Sequence, residues 1–127
     1  MALTHIGFYT ELAHGEPTGG SLREAVSDAT YPERNLIAKY LNAGSVLTAC
    51  PMATRDVLQP EKPRMQGLLF LTDGVYQWPN DLPYFVSRYN VKLPDAFVKH
   101  MRDQGFVPPR ISRERLLALS DAETEGV

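Results

Sequence analysis

Residues Leu68-Leu69-Phe70-Leu71-Thr72-Asp73-Gly74-Val75-Tyr76-Gln77-Trp78 decide the fold class. Two β-prone runs flank an Asp-Gly dipeptide, the signature of a type I′ hairpin turn in which both central residues need φ > 0. Such a turn pairs Thr72 with Val75, Leu71 with Tyr76, Phe70 with Gln77 and Leu69 with Trp78. Leu69, Leu71, Tyr76 and Trp78 then share a core face, while Phe70, Thr72, Val75 and Gln77 form a second, half-apolar face. A slip of one residue would expose the aromatic pair, so the pattern specifies its own register.

Downstream, Pro79-Asn80-Asp81 ends the hairpin, and Asn80 is placed to cap a helix whose inner face is Leu82, Phe85, Val86 and Tyr89. Pro83 falls in the first turn, where a missing N–H costs little, and Asn90 suits an αL end. Pro94 opens a further helix with Phe97, Val98 and Met101 inward and Gly105 as its stop. Ser112 caps a last helix carrying Leu116, Leu117 and Leu119, with Ile111 and Leu116 spaced as a hydrophobic staple. From Asp121 the chain reads as an acidic tail that frays.

Upstream, Ser45–Cys50 reads as a strand. Before it, Pro32 starts a helix in which Leu36, Ile37, Tyr40 and Leu41 recur at helical spacing, with Gly44 as an αL stop. Ser21-Leu22-Arg23-Glu24 fits a capping box at the head of a short helix reaching about Ala29. Residues 6–12 suggest a first strand, interrupted by Gly7, and 14–20 a glycine-rich loop. The stretch from Pro51 to Gln66 is long for a structureless connection, so a missed strand is expected within 53–58.

Sequential strands tend to pair, so this order predicts an α+β fold: a small antiparallel sheet of three or four strands with helices packed on it. The 127 residues suit a single domain, set at 1–120, followed by a flexible acidic tail at 121–127. Hydrophobic residues make up 43% and charged residues 22%, which argues against global disorder. Thirteen Lys and Arg against fifteen Asp and Glu give a net charge of −2, the wrong balance for a protein that grips a polyanion. The longest apolar runs are four residues, against roughly twenty for a membrane span. With no basic-then-apolar start and no lipidation motif, a cytoplasmic protein is expected.

Few side chains are left over for chemistry. His5, His14 and His100 lack the close spacing of a zinc site, and one cysteine cannot form an internal disulfide. No metal, cofactor or catalytic group is therefore assigned. His100, beside Lys99 and Arg102, reads as solvated helix surface, and Cys50 as a buried free thiol at a strand end. Asp73 is accounted for by its turn, Glu24 by its cap, and Asp81 and Asp95 by helix first turns. Only His14, in a glycine-flanked loop near Glu16, has a setting that resembles a site. The cluster Arg110, Arg113 and Arg115, near Arg102 and Lys99, is opposed by Glu114 and the acidic tail.

The run Leu71-Thr72-Asp73-Gly74-Val75-Tyr76-Gln77-Trp78-Pro79-Asn80-Asp81-Leu82-Pro83-Tyr84-Phe85-Val86, continued by Tyr89, Val91, Leu93-Pro94 and Phe97, resembles a pattern in small bacterial proteins. There a "TDG–W–WP–DL–YYV" hairpin-helix precedes an "LP–F" helix; here Tyr76 and Phe85 stand for two of its aromatics. The resemblance covers about a fifth of the chain, in hairpin, cap and core positions. These proteins are similar in size and style to the immunity proteins of bacterial polymorphic toxin systems, which implies a cytosolic, non-catalytic inhibitor with a cognate toxin as its protein partner. The expected function is thus neutralisation of that toxin by occlusion. Exposed tyrosine and loop acids suggest Glu11, His14, Glu16, Asp56, Glu61 and Tyr84 as partner-binding residues. The alternative is a small enzyme or ligand-binding protein with a site near His14, Glu16 and Cys50. A third reading, nucleic-acid binding, requires one continuous basic face from Arg102 to Arg115.

Overall fold

A computed structural model describes residues 3–29, 31–59 and 61–125, apart from the side chains of residues 124 and 125. The elements are β1 (Thr4–His5), α1 (Leu22–Ala25), α2 (Arg34–Asn42), β2 (Ser45–Ala53), β3 (Gly67–Thr72), β4 (Tyr76–Pro79), α3 (Leu82–Tyr89), α4 (Asp95–Asp103) and α5 (Arg113–Glu125). They build an α+β fold on a four-stranded sheet of order β1-β4-β3-β2.

The central hairpin forms with a wider turn than Asp-Gly suggests. Leu71 pairs with Trp78 and Thr72 with Gln77, so residues 73–76 lie inside the last pair. The register is displaced by two residues, which keeps every side chain on its expected face. Gly74 has φ +94, but Asp73 is not in the left-handed region, and the turn is not type I′. The reason is the Asp73 carboxylate, which turns back on its own loop. Its Oδ1 accepts from Val75 N (3.0 Å) and Tyr76 N (2.8 Å), an Asx-type arrangement. Its Oδ2 accepts from Tyr40 Oη of α2 (2.6 Å) and lies 3.1 Å from His100 Nε2 of α4.

Leu71 and Trp78 are buried beneath α2, α3 and α4, whose inner residues are Ile37, Tyr40 and Leu41, then Leu82, Phe85 and Val86, then Phe97, Val98 and Met101. Trp78 Nε1 donates to Leu41 O (2.9 Å), and its ring lies between Tyr40 and Phe97 at centroid distances of 6.0 and 5.7 Å. Leu36, expected on this face, is exposed. It precedes Ile37 by one residue, about 100° around the helix, and so misses the face that Ile37, Tyr40 and Leu41 share. Gly44 does not adopt αL. It is needed for space, because a Cβ there would sit 2.6 Å from the Trp78 ring.

Three further expectations are corrected. Residues 6–12 are not a strand: only Thr4–His5 pairs, parallel to β4, which makes the sheet mixed. Gly7, at φ +83, turns the chain so that Phe8 meets Phe70 edge-on (5.2 Å) and covers the second face of the sheet. Asn80 does not cap α3; its side chain accepts from Leu69 N and donates to Gly67 O, sealing the start of β3. The helix after Ser21 stops at Ala25, because Ser27 N donates to Tyr89 O and Ala25 O accepts from Lys92 N.

The expected strand at 45–50 extends to Ala53, and Thr54 continues the contact through backbone bonds to Met65 and Gln66. The αL end at Asn90 and the stop at Gly105 are as expected, with φ of 52° and 65°. The acidic segment from Asp121 continues α5 as far as Glu125, and residues 126–127 lie outside the described ones. Along α5, Leu116 and Leu119 are half-buried and Leu117 is exposed. The approach to α5 is tied to one edge strand, where Ile111 N donates to Ser45 Oγ. Near its end, Glu123 accepts from Leu3 N beside the other edge.

Replacing Asp73 by Ala orphans a buried hydroxyl and two backbone N–H groups, and is expected to cost about 3 kcal/mol or more in urea unfolding. Gly44→Ala should cost about 1–3 kcal/mol through overpacking against Trp78. Gly67→Ala is the control: a Cβ there meets nothing within 4 Å, and its stability should stay within about 0.5 kcal/mol of the parent.

Candidate functional site

Each of the three histidines meets a carboxylate from a distant part of the chain. His100 points at Asp73, within the Tyr40–Asp73 network, and is therefore only partly solvated rather than free helix surface. His14 Nε2 lies 3.0 Å from Asp81 Oδ2. His5 Nδ1 is 2.7 Å from Glu16 Oε2, and its Nε2 is 3.2 Å from Glu123 Oε2. The partners that hold the imidazoles are acids, and none of these pairs is close in sequence. Among the described residues, no group of three or more His, Cys, Asp or Glu is placed to hold a metal ion.

The His5 clasp stands in a cleft of about 950 Å³ between the N-terminal segment, α1 and the start of α4. Glu16, Glu24, Asp95 and Glu123 line it against Lys92 and His5, over an apolar floor that includes Phe8, Tyr9 and Leu93. Burial pushes the His5 pKa down, but hydrogen bonds and charge from Glu16 and Glu123 outweigh it and raise the pKa above 6.5. With both ring nitrogens held by acids, His5 ties these segments together and has no nitrogen free to receive a substrate proton.

A second cleft of about 370 Å³ lies between residues 12–14 and the β2–β3 loop, lined by His14, Arg55 and Arg64 with Leu12, Met52 and Val57 among its apolar walls. Asp81 stands behind His14 with no exposed side-chain surface.

The six residues expected to bind a partner do not gather on one surface. Glu11 is consumed by α1: its carboxylate accepts from Leu22 N (2.7 Å), Arg23 N (2.9 Å) and Ser21 Oγ (2.9 Å). Desolvation raises its pKa, but these bonds prevail and bring it to about 2. Glu11 thus satisfies the first free N–H groups of α1 from outside the helix, beside the Ser21 cap on Glu24 N. Asp56 is buried, accepting from Tyr84 Oη and Tyr89 Oη at 2.6 Å each and from Leu58 N. Burial opposes its ionisation, but those donors win and lower its pKa; the same contact, after desolvation, pushes Tyr84 up to about 12. Tyr84 is accordingly half-buried and bonded, not a free surface ring. Glu16 lines the first cleft, His14 the second, and Glu61 is exposed.

His14, Glu16 and Cys50 do not converge. Glu16 belongs to His5 and His14 faces Asp81, while Cys50 lines neither cleft. Cys50 is half-buried within β2, opposite Leu68, and burial raises its pKa, which keeps the thiol protonated. The basic run is interrupted too, since Arg102 pairs with Glu33 and Lys99 with Asp103. Residues that sequence reasoning missed are His5 and Glu123, 118 positions apart. A lone histidine at one end and one acid in a presumed tail carry no local signal of pairing. Among the described residues no helix is long and apolar enough to cross a membrane. Compared with protein families, curated proteins and solved structures, the chain matches none.

Opposite pH dependences follow. The Glu11 pKa is lowered from 4.5 to about 2, so its contribution is full above 4.5 and fades as pH falls through that interval. Glu11→Ala should cost about 1 kcal/mol at neutral pH, as for loss of a helix cap, and nothing near the acid limit. The His5 pKa is raised, so its contribution is full below 6.5 and disappears as pH rises through the raised value. His5→Gln should therefore flatten the alkaline side of the stability profile, measured by urea unfolding across pH.

Proposed function

We propose that this protein is a non-catalytic binding protein, of the kind represented by bacterial immunity proteins, that neutralises a cognate toxin by occluding its active site or substrate path. The observation that supports this reading is the larger cleft. Four carboxylates against Lys92 and His5 make it a concave acidic surface suited to a basic partner. Glu24 and Asp95 are exposed on its rim, and neither has a side-chain bond that the fold requires. They add to the contact residues expected from the sequence, of which Glu11 and Asp56 also hold internal hydrogen bonds.

The resemblance of the hairpin-helix to proteins of that style supports the same reading. So does the employment of each histidine in holding the fold together. An inhibitor of this class acts through shape and charge, and charged contacts of this type govern encounter rate and partner choice.

Co-expression with a toxin encoded immediately upstream should rescue growth and yield a purified complex. Reversing the rim charges with Glu24→Lys and Asp95→Lys should weaken that complex at least tenfold, or about 1.4 kcal/mol. Glu114→Lys, exposed and outside the cleft, should leave it unchanged. A chain with no such neighbour, which also retains no toxin in a pull-down, would overturn the proposal.

A further inference from the structure

We propose that the second cleft binds a small organic anion with a phosphate-type head, held by Arg55 and Arg64 with its body against the apolar wall. At about 370 Å³ the space is of small-molecule size. It shares no lining residue with the acidic cleft, so this site stands apart from the occlusion surface.

The first argument is charge. Thr54 bonds through its backbone to Met65 and Gln66, which puts Arg55 and Arg64 on facing arms of the β2–β3 loop, both lining the cleft. Adjacent like charges on paired strands are destabilising unless something neutralises them. The carboxylate of Asp56 is turned to Tyr84, Tyr89 and Leu58 N and makes no direct ion pair with either arginine. Among the described residues neither guanidinium has an ion-pair partner, so two like charges stand at one cleft. A tetrahedral oxyanion relieves that repulsion and can accept from both forks at once.

The second argument is a buried group without a partner. The side chain of His14 is 7% exposed and that of Asp81 is 0% exposed. Although they approach to 3.0 Å, the alignment is not that of a hydrogen bond: His14 Nε2 and both Asp81 oxygens lack a partner. Buried polar groups are almost always satisfied, and exceptions in folded proteins mark places where a further group acts. Asp81 stands at the N-terminus of α3, where the helix dipole supports its charge. His14 lines the cleft and turns its Nε2 toward Asp81, which lies outside the lining.

The apolar wall identifies the rest of the ligand. Leu12, Met52 and Val57 line the space beside the arginines, so an anion carrying an apolar or aromatic body fits better than a bare ion. A cation is opposed by both guanidiniums.

The test is calorimetric titration of the full chain with phenyl phosphate, inorganic phosphate and benzoate. Phenyl phosphate should bind saturably at one site per chain, and more tightly than inorganic phosphate. In the Arg55→Gln, Arg64→Gln double variant its affinity should fall at least about tenfold, with thermal unfolding not lowered because both side chains are exposed and their mutual repulsion is removed. Arg110→Gln with Arg113→Gln, which removes the same charge elsewhere, should leave binding intact. Equal binding to the parent and the Arg55, Arg64 variant, or the absence of saturation, would overturn the site. Benzoate binding as tight as phenyl phosphate would overturn the phosphate-type head. Toxin neutralisation is measured separately, so failure of either proposal leaves the other standing.

Discussion

Asp73 sits where four donors meet, and most of the tertiary arrangement depends on that convergence. Two backbone N–H groups of its own turn, the Tyr40 hydroxyl and the His100 imidazole all reach one buried carboxylate. A carboxylate is the side chain that can accept from all of them without presenting a hydrogen of its own. The result locks the β3–β4 turn to α2 and α4 together. Directly beneath, Trp78 bonds to Leu41 O and is enclosed by Tyr40 and Phe97, so polar and aromatic contacts fix the same three elements. Gly44 is part of that arrangement, since only a residue without a side chain leaves room for the indole.

The same device recurs at the other two histidines. His5 joins the N-terminal strand to the 14–20 loop and to α5, and His14 brings the residue 12–14 turn against the head of α3. Because each acid lies outside the histidine's own element, these contacts act as noncovalent cross-links. Buried pairs of this kind contribute little net stability compared with apolar packing, but losing one partner strands the other. They differ in completeness. Both nitrogens of His5 are occupied, whereas His14 and Asp81 approach without satisfying each other.

The surface divides accordingly. One concavity is acidic and wide, with free carboxylates on its rim; the other is smaller, apolar-walled and fronted by two unpaired guanidiniums. A chain with a net charge of only −2 thus separates its charges by sign into different recesses. Recognition by complementary potential requires such local separation, and net charge alone does not report it.

Periodicity and punctuation were enough to place β2, the β3–β4 pair and the five helices. The inward residues of α3 and α4, and the stops at Asn90 and Gly105, were legible because helical spacing and the αL preference are local properties. The faces of the hairpin were legible too, since alternation survives a two-residue change of register. What only the folded chain decided were the partners of polar groups. Asn80 turned from helix cap to strand seal, Asp73 from turn former to buried hub, Glu11 from contact residue to helix cap, and His100 from surface to network. The physical reason is common to all four. Apolar residues need only a side to face, and short-range spacing encodes that. A hydrogen bond or ion pair needs a specific atom within about 3 Å, and here that atom comes from sequence positions as distant as 5 and 123, which only the completed packing brings together.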